Sequence, residues 1–303
     1  MKSKTRAELA LIAATCVWGG TFPIVKVGMN YVSPVLLIAV RFVVATVVLL
    51  LFFHRRIFPI PRASMMKGAV LSLFMFLGFV AQNIGLTITS ASKSAFITGM
   101  MVIFVPLLQF VIERRLPKIG NIVGVVIVAA GLWFLTSPVG AGLNAGDALT
   151  LVCALLFAVY IVYLDVISKE MTPMQLVFLQ MFCTAMYALI ATLAFETPVF
   201  HWSGEGIAAL LYLTFLATLV TTYVQTRFQK DTTPTRAVVI FSIEPVVASL
   251  MAALILGERM GTLGVFGGAL IVGGVLISEL SDAVPWLNRS VDRSSDRSVE
   301  GDS

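Results

Sequence analysis

Residues 35–53 read VLLIAVRFVVATVVLLLFF, nineteen positions with one charge, Arg41, and no glycine or proline. At 1.5 Å rise per residue a helix of this length spans roughly 29 Å, the thickness of a bilayer's hydrocarbon core. Ser33-Pro34 precedes the run and His54-Arg55-Arg56 closes it. That pairing of a proline-marked start with a basic end is the pattern of a membrane helix held at its interface.

Working outward, nine further apolar runs have the same character. The ten spans expected are Glu8–Gly28, Val35–Phe53, Gly68–Leu86, Ser94–Ile112, Gly120–Thr136, Ala148–Leu164, Met174–Phe195, Gly206–Gln225, Ala237–Leu256 and Thr262–Ser278. Composition agrees. Of 303 residues 58% are hydrophobic and 12% charged, against about 25% charged in an ordinary soluble domain. A globule of this size could not hide so much apolar surface from water. The fold class expected is an all-α membrane protein whose lipid-facing helices are solvated by the bilayer.

The charge distribution sets the topology. With the N-terminus in the cytoplasm, 17 of the 21 lysines and arginines fall in cytoplasmic segments. Lys26, Lys93 and Arg259 lie at the outer side and Arg41 within a span. A missed or invented helix would reverse this bias downstream, so it supports ten crossings with both termini cytoplasmic. The net charge of +5 is thereby assigned to topology and not to nucleic acid. Residues 281–303, serine-rich with alternating Asp and Arg, are expected to be a disordered cytoplasmic tail. The early basic residues followed by an apolar run imitate a signal peptide. The run is about 20 residues long and lacks a small-x-small cleavage site, so it is read as the first span.

The chain also repeats itself. Ser33-Pro34 corresponds to Thr172-Pro173 at an offset of 139, and Arg41 meets Gln180 at the same offset. Ser94-Ala95-Phe96-Ile97 corresponds to Arg236-Ala237-Val238-Val239, and Gly120-x3-Gly124 to Gly264-x3-Gly268. The units are 1–137 and 146–280. Each holds five helices, an odd number, so the second enters the membrane from the opposite side and the fold is two inverted five-helix repeats.

Chemistry-bearing residues inside spans are few. Two readings stand for Arg41: it binds a substrate carboxylate, or it is a structural partner for helix-end carbonyls or a neighbouring helix. Glu244, followed by Pro245, also has two. A carboxylate beside the Phe241 carbonyl, deprived of its donor by the proline, binds an amine or a proton; alternatively Glu244 pairs with Arg41, Lys93 or a helix terminus. Lys93 either attracts anions near the outer mouth or snorkels to the interface. Gln82 and Asn83 are adjacent on a helix and point about 100° apart, so one of them faces a central cavity. Trp18, Phe22, Phe79, Phe96, Tyr160, Tyr163 and Tyr223 are aromatic wall candidates, with packing or lipid contact as the competing use. The glycine pairs permit close helix approach, either within the chain or at a homodimer seam.

Enzymatic chemistry is not expected. His54 and His201 fall in loops on opposite sides of the membrane, and neither a His-Glu-x2-His nor a Gly-x-Ser-x-Gly motif occurs. Cys16, Cys153 and Cys183 lie within apolar runs and read as packing residues. No metal or cofactor is expected, and the absence of Gly-x4-Gly-Lys-[Ser/Thr] argues against direct ATP drive. A channel would want a charged ring or filter loop, and none is visible.

Several stretches resemble the EamA-type ten-helix branch of the drug/metabolite transporter superfamily. They are Val17-Trp18-Gly19-Gly20-Thr21-Phe22, Ala39-Val40-Arg41-Phe42, Ala91-Ser92-Lys93-Ser94-Ala95-Phe96, Glu244-Pro245 and Leu256-Gly257-Glu258-Arg259. The first half departs from the pattern at Glu113-Arg114-Arg115, which lacks the preceding Leu-Gly. The resemblance covers about residues 8–280. It implies a secondary transporter in a bacterial inner membrane that moves amino acids or amphipathic drug-like compounds, usually outward. It also implies a cavity bounded by spans 1, 3, 4, 6, 8 and 9, which favours Trp18, Phe79, Phe96 and Tyr160, with Asn83 and Glu244, as substrate contacts. Protons are an expected coupling partner through Glu244. An organophosphate or nucleotide-sugar exchanger is the alternative within the superfamily; it would want more basic residues in the cavity than Arg41 and Lys93.

Overall fold

The computed structural model describes residues 2–114, 118–136, 144–258 and 262–280, and all its regular elements are helical. Among the described residues, eight helical stretches are long and apolar enough to cross a membrane: Thr5–Gly28, Pro34–Ile57, Arg62–Ile88, Ala91–Val111, Ala145–Ile167, Pro173–Phe195, Gly204–Asp231 and Pro234–Leu256. Two shorter apolar helices, Ile119–Phe134 and Thr262–Ser278, occupy the places of the fifth and tenth expected spans. The tail 281–303 and Arg259 lie outside the described residues.

Helix starts follow local chemistry. Pro34, Pro173 and Pro234 each occupy a first-turn position, where the missing N–H costs nothing and φ is already helical. Thr172 and Gln175 form a capping box, and Asn144 and Asp147 form another. Each satisfies backbone donors that a helix end leaves open.

Four of the long stretches are not uniform helices. The first divides into α1 (Lys2–Gly19) and α2 (Thr21–Gly28). Two unbroken helices follow, α3 (Pro34–Ile57) and α4 (Arg62–Ile88). The fourth stretch divides into α5 (Ala91–Gly99) and α6 (Met101–Glu113). After α7 (Ile119–Thr136), α8 (Ala145–Ile167) and α9 (Pro173–Phe195), the next stretch starts as α10 (Gly204–Leu211). It widens into a π-helical segment over Tyr212–Val220 and ends as α11 (Thr221–Phe228). The next divides into α12 (Pro234–Phe241) and α13 (Glu244–Leu256), and α14 (Thr262–Leu280) ends the described chain. The α12–α13 break is where Pro245 removes the donor for the Phe241 carbonyl. The break at Met100 and the π segment carry no such mark in the sequence.

The fourth and eighth of the long stretches cross at their breaks. A Cβ built on Gly99 would lie 2.9 Å from Pro245 Cγ, so only glycine admits this approach. A second close crossing joins α7 to α14, where a Cβ on Gly124 would meet the Gly274 carbonyl at 2.9 Å and one on Gly131 the Gly267 carbonyl at 2.7 Å. Gly124 of the first glycine pair is therefore used inside the chain. The core is apolar, with Leu11, Phe42, Leu71, Leu164, Leu176 and Val239 fully buried. Large apolar side chains such as Leu193, Phe195 and Leu254 stand more than 80% exposed on the outside. Apolar surface on both the inside and the outside is the distribution expected of a protein solvated by lipid.

Candidate functional site

A cavity at the centre of the bundle holds about 700 Å³ of space unfilled by atoms, counted out to where it opens. Aromatic rings form much of its wall. Trp18 meets Phe241 edge-on with centroids 5.4 Å apart, and Phe79 meets Phe157 edge-on at 5.3 Å. The polar lining comprises Thr21, Arg41, Gln82, Thr98, Thr222, Gln225 and Glu244, with Tyr160.

The π segment organises one side. Its wider turns leave backbone carbonyls available to side chains. The Ala217 carbonyl accepts from Trp18 Nε1 at 3.2 Å, and the Leu213 carbonyl accepts from the Thr218 hydroxyl at 2.7 Å. Tyr212, at the start of the segment, donates its hydroxyl to the Val17 carbonyl at 2.8 Å. Trp18 and the α1 end are thus fixed against this segment.

Arg41 is 2% exposed. Its Nε and Nη2 donate to Thr218 Oγ1 at 3.2 and 2.9 Å, and its guanidinium lies 5.3 Å from the Phe79 ring centroid. Among the described residues it has no carboxylate partner. A buried cation lacking a counter-charge is costly, and a hydroxyl plus a ring face offset only part of that cost. Glu244 is at the first turn of α13. It forms no ion pair with Arg41 or Lys93. Thr98, on α5, is 3% exposed.

Tyr160 leads out of the cavity into a buried polar chain. Its hydroxyl donates to Gln180 Oε1 at 2.6 Å, and its oxygen lies 3.3 Å from Gln225 Oε1. Gln180 Nε2 donates to Thr226 Oγ1 at 3.1 Å, Gln225 Nε2 to Gln229 Oε1 at 3.0 Å, and Gln229 Nε2 to the Ile161 carbonyl at 2.8 Å. Gln180, aligned with Arg41 in the repeat, sits one side chain behind the cavity wall.

Of the residues singled out from sequence, Trp18, Phe79, Tyr160, Glu244, Arg41 and Gln82 line the cavity. Three do not. Asn83 is turned away and donates Nδ2 to the Pro34 carbonyl at 3.0 Å, so Gln82 is the member of that pair facing inward. Phe96 packs, partly buried, against the hydrophobic core. Lys93 neither lines the cavity nor snorkels freely, because its ammonium is held 2.6 Å from Asp147 Oδ2. Sequence reasoning missed Thr98, Phe157, Thr222, Gln225 and Phe241. Thr222 and Gln225 stand at i,i+3 spacing, but Thr214, Thr218, Thr221 and Thr226 are polar in the same span, so the pattern did not mark one face. Thr218 had no signal, because its role depends on the π segment.

Comparison with known proteins gives one answer. The chain matches the EamA-like transporter family twice, over residues 5–137 and 144–280. An uncharacterized transporter of Archaeoglobus fulgidus is 32% identical over 275 residues, which cover 90% of this chain and 86% of the relative. A probable amino-acid metabolite efflux pump of Salmonella typhimurium is 27% identical over 299 residues, covering 91% of this chain and 95% of the relative. An uncharacterized inner membrane transporter of Escherichia coli is 24% identical, covering 89% and 90%. A protein of known crystal structure shares the fold with a TM-score of 0.74 at 19% identity, covering 92% of this chain and 98% of its own. An integral membrane helical bundle, a central cavity and two consecutive matches to one family agree: the chain is a transmembrane transporter of the EamA-like family.

Proposed function

We propose that this transporter moves small zwitterionic or amphipathic metabolites, amino acids foremost, out of the cell by alternating access. The observation that carries the reading is the cavity. It presents one guanidinium, Arg41, and one carboxylate, Glu244, neither with an ionic partner among the described residues, between walls of Trp18, Phe79, Phe157 and Phe241. An amino acid offers the complement: a carboxylate for Arg41, an ammonium for Glu244 and an apolar side chain for the rings. The Salmonella relative named as an amino-acid metabolite efflux pump supports the same class.

Alternating access rests on reading 1–137 and 146–280 as inverted repeats. The helix breaks at Met100 and Ser242, 142 positions apart, support that reading, as do the proline-initiated helices at Pro34 and Pro173, 139 apart. Two halves able to exchange conformations give inward- and outward-open states of similar energy around a fixed midplane site. Both termini are cytoplasmic in this reading and the membrane is the inner membrane. Glu244 exchanges a proton for the substrate's ammonium, which couples export to the proton gradient.

The test is uptake into proteoliposomes of a panel of amino acids, aromatic metabolites and sugar phosphates, at both signs of a pH gradient. Uptake confined to compounds with both a carboxylate and an ammonium supports the reading. Preference for sugar phosphates overturns it in favour of organophosphate exchange.

A further inference from the structure

Two buried ion pairs stand at opposite ends of the bundle. At one end Lys93, on the first turn of α5, lies 2.6 Å from Asp147 on α8. At the other, Arg236 on the first turn of α12 lies 3.0 Å from Glu8 on α1. The side chains are 12% and 1% exposed in the first pair and 5% and 13% in the second. Each base occupies the same place in its helix. Ser90 Oγ accepts from the Lys93 backbone N–H at 3.2 Å, and Thr233 Oγ1 accepts from the Arg236 backbone N–H at 3.3 Å.

The pairs are also related by the repeat. The N-caps Ser90 and Thr233 relate the two helix starts at an offset of 143, one residue from the register that sets Ser94 against Arg236, so the bases Lys93 and Arg236 correspond by their place after the cap; Glu8 maps onto Asp147 at 139. Both offsets fall in the range that relates the two halves elsewhere. Each pair therefore joins the first span of one half to the fourth span of the other, and following the chain from span to span puts them at opposite faces. In one half the acid is Glu and the base Lys; in the other they are Asp and Arg. The chemistry is kept although the residues differ.

We infer that these pairs are the two latches of the transport cycle, Lys93–Asp147 closing one mouth of the cavity and Glu8–Arg236 the other. The inference rests on the inverted-repeat reading. The cavity lies between them, since α5 and α12 both reach it through Thr98 and Phe241. Both pairs are formed in this structure. Opening either mouth requires parting α5 from α8, or α12 from α1, and exposing that pair to water. Removing one partner breaks a buried ion pair, which destabilises the closed end and shifts the population toward the state open at that end.

The test needs no substrate. A cysteine replaces cavity-lining Thr222 in a chain whose Cys16, Cys153 and Cys183 are alanine. It is labelled with a membrane-impermeant maleimide in right-side-out and in inverted vesicles. Lys93→Met and the isosteric Asp147→Asn should raise labelling from the Lys93 side about fivefold or more, the lower end of ordinary conformational couplings, and reduce it from the other side. Arg236→Met and Glu8→Gln should do the reverse. The exchanged pair Lys93→Asp with Asp147→Lys should return the ratio toward that of the parent. Shifts in the same direction from both ends, or no shift in any variant, would overturn the latch assignment. Labelling from a single side in the parent and in every variant would instead remove alternating access itself, so the two failures are distinguishable.

Discussion

Arg41 and Thr218 are joined by two hydrogen bonds to a single oxygen, Nε and Nη2 of the one donating to Oγ1 of the other. The Thr218 hydroxyl spends its own proton on the Leu213 carbonyl, five residues back. It can therefore only accept from Arg41, and the π-helical turn orients the guanidinium through one threonine. Replacing Thr218 with valine keeps the shape and removes the acceptor. The expected result is a loss of stability of about 1–3 kcal/mol, the cost of a buried polar group left unpaired, together with weaker substrate binding. Thermal unfolding in detergent and the KM of uptake measure the two effects.

Arg41→Lys keeps the charge but loses the planar fork and its two-point contact with Thr218. Transport of carboxylate-bearing compounds should fall at least tenfold in kcat/KM, with a smaller change for compounds whose carboxylate is esterified. Equal loss for both classes in an uptake comparison would assign Arg41 a purely structural role.

Glu244→Gln removes a charge while keeping the shape of the side chain. The protein should fold as before, because the carboxylate has no ion pair to lose. Proteoliposome transport driven by a pH gradient should be abolished, while exchange at equal pH on both sides should survive only with a raised KM, because the substrate ammonium loses its carboxylate. Unchanged pH-driven accumulation would eliminate Glu244 as the coupling group.

Gly131→Leu places a side chain where α7 and α14 approach closely, with the Gly267 carbonyl 2.7 Å from a Cβ. Overpacking of this kind costs about 1–3 kcal/mol or more. The variant should unfold at lower temperature in detergent, whereas a leucine at Gly273, which meets nothing within 4 Å, should be neutral. Comparing the two melting temperatures checks that this pair is an internal packing seam.

Much of the fold was written in the sequence because hydrophobic length and proline placement are local properties. Pro34 and Pro173 marked helix starts, and the apolar runs marked the spans. The break at Ser242–Ile243 was visible through Pro245, whereas the break at Met100 was not: it follows from a tertiary crossing of Gly99 over Pro245. The site was partly legible. Arg41 and Glu244 stood out as charges in apolar runs, and Trp18, Phe79 and Tyr160 entered through a family resemblance. Which of Gln82 and Asn83 faced inward was a matter of about 100° of helix rotation, which the flanking apolar residues did not decide. Lys93 looked free because its partner, Asp147, lies 54 residues away and begins another helix. Thr218 and Gln225 could not be placed without the π segment, which shifts the register of everything after Tyr212.

The most direct measurement is counterflow in proteoliposomes loaded with an aromatic amino acid. Labelled uptake of the same compound is compared with the internal pool holding the parent amino acid, its N-acetyl derivative or its methyl ester. The account predicts that the internal zwitterion accelerates uptake several-fold and that neither derivative does, since each lacks one of the groups that Glu244 and Arg41 would take. Equal acceleration by all three, or uptake indifferent to the internal pool, would contradict it.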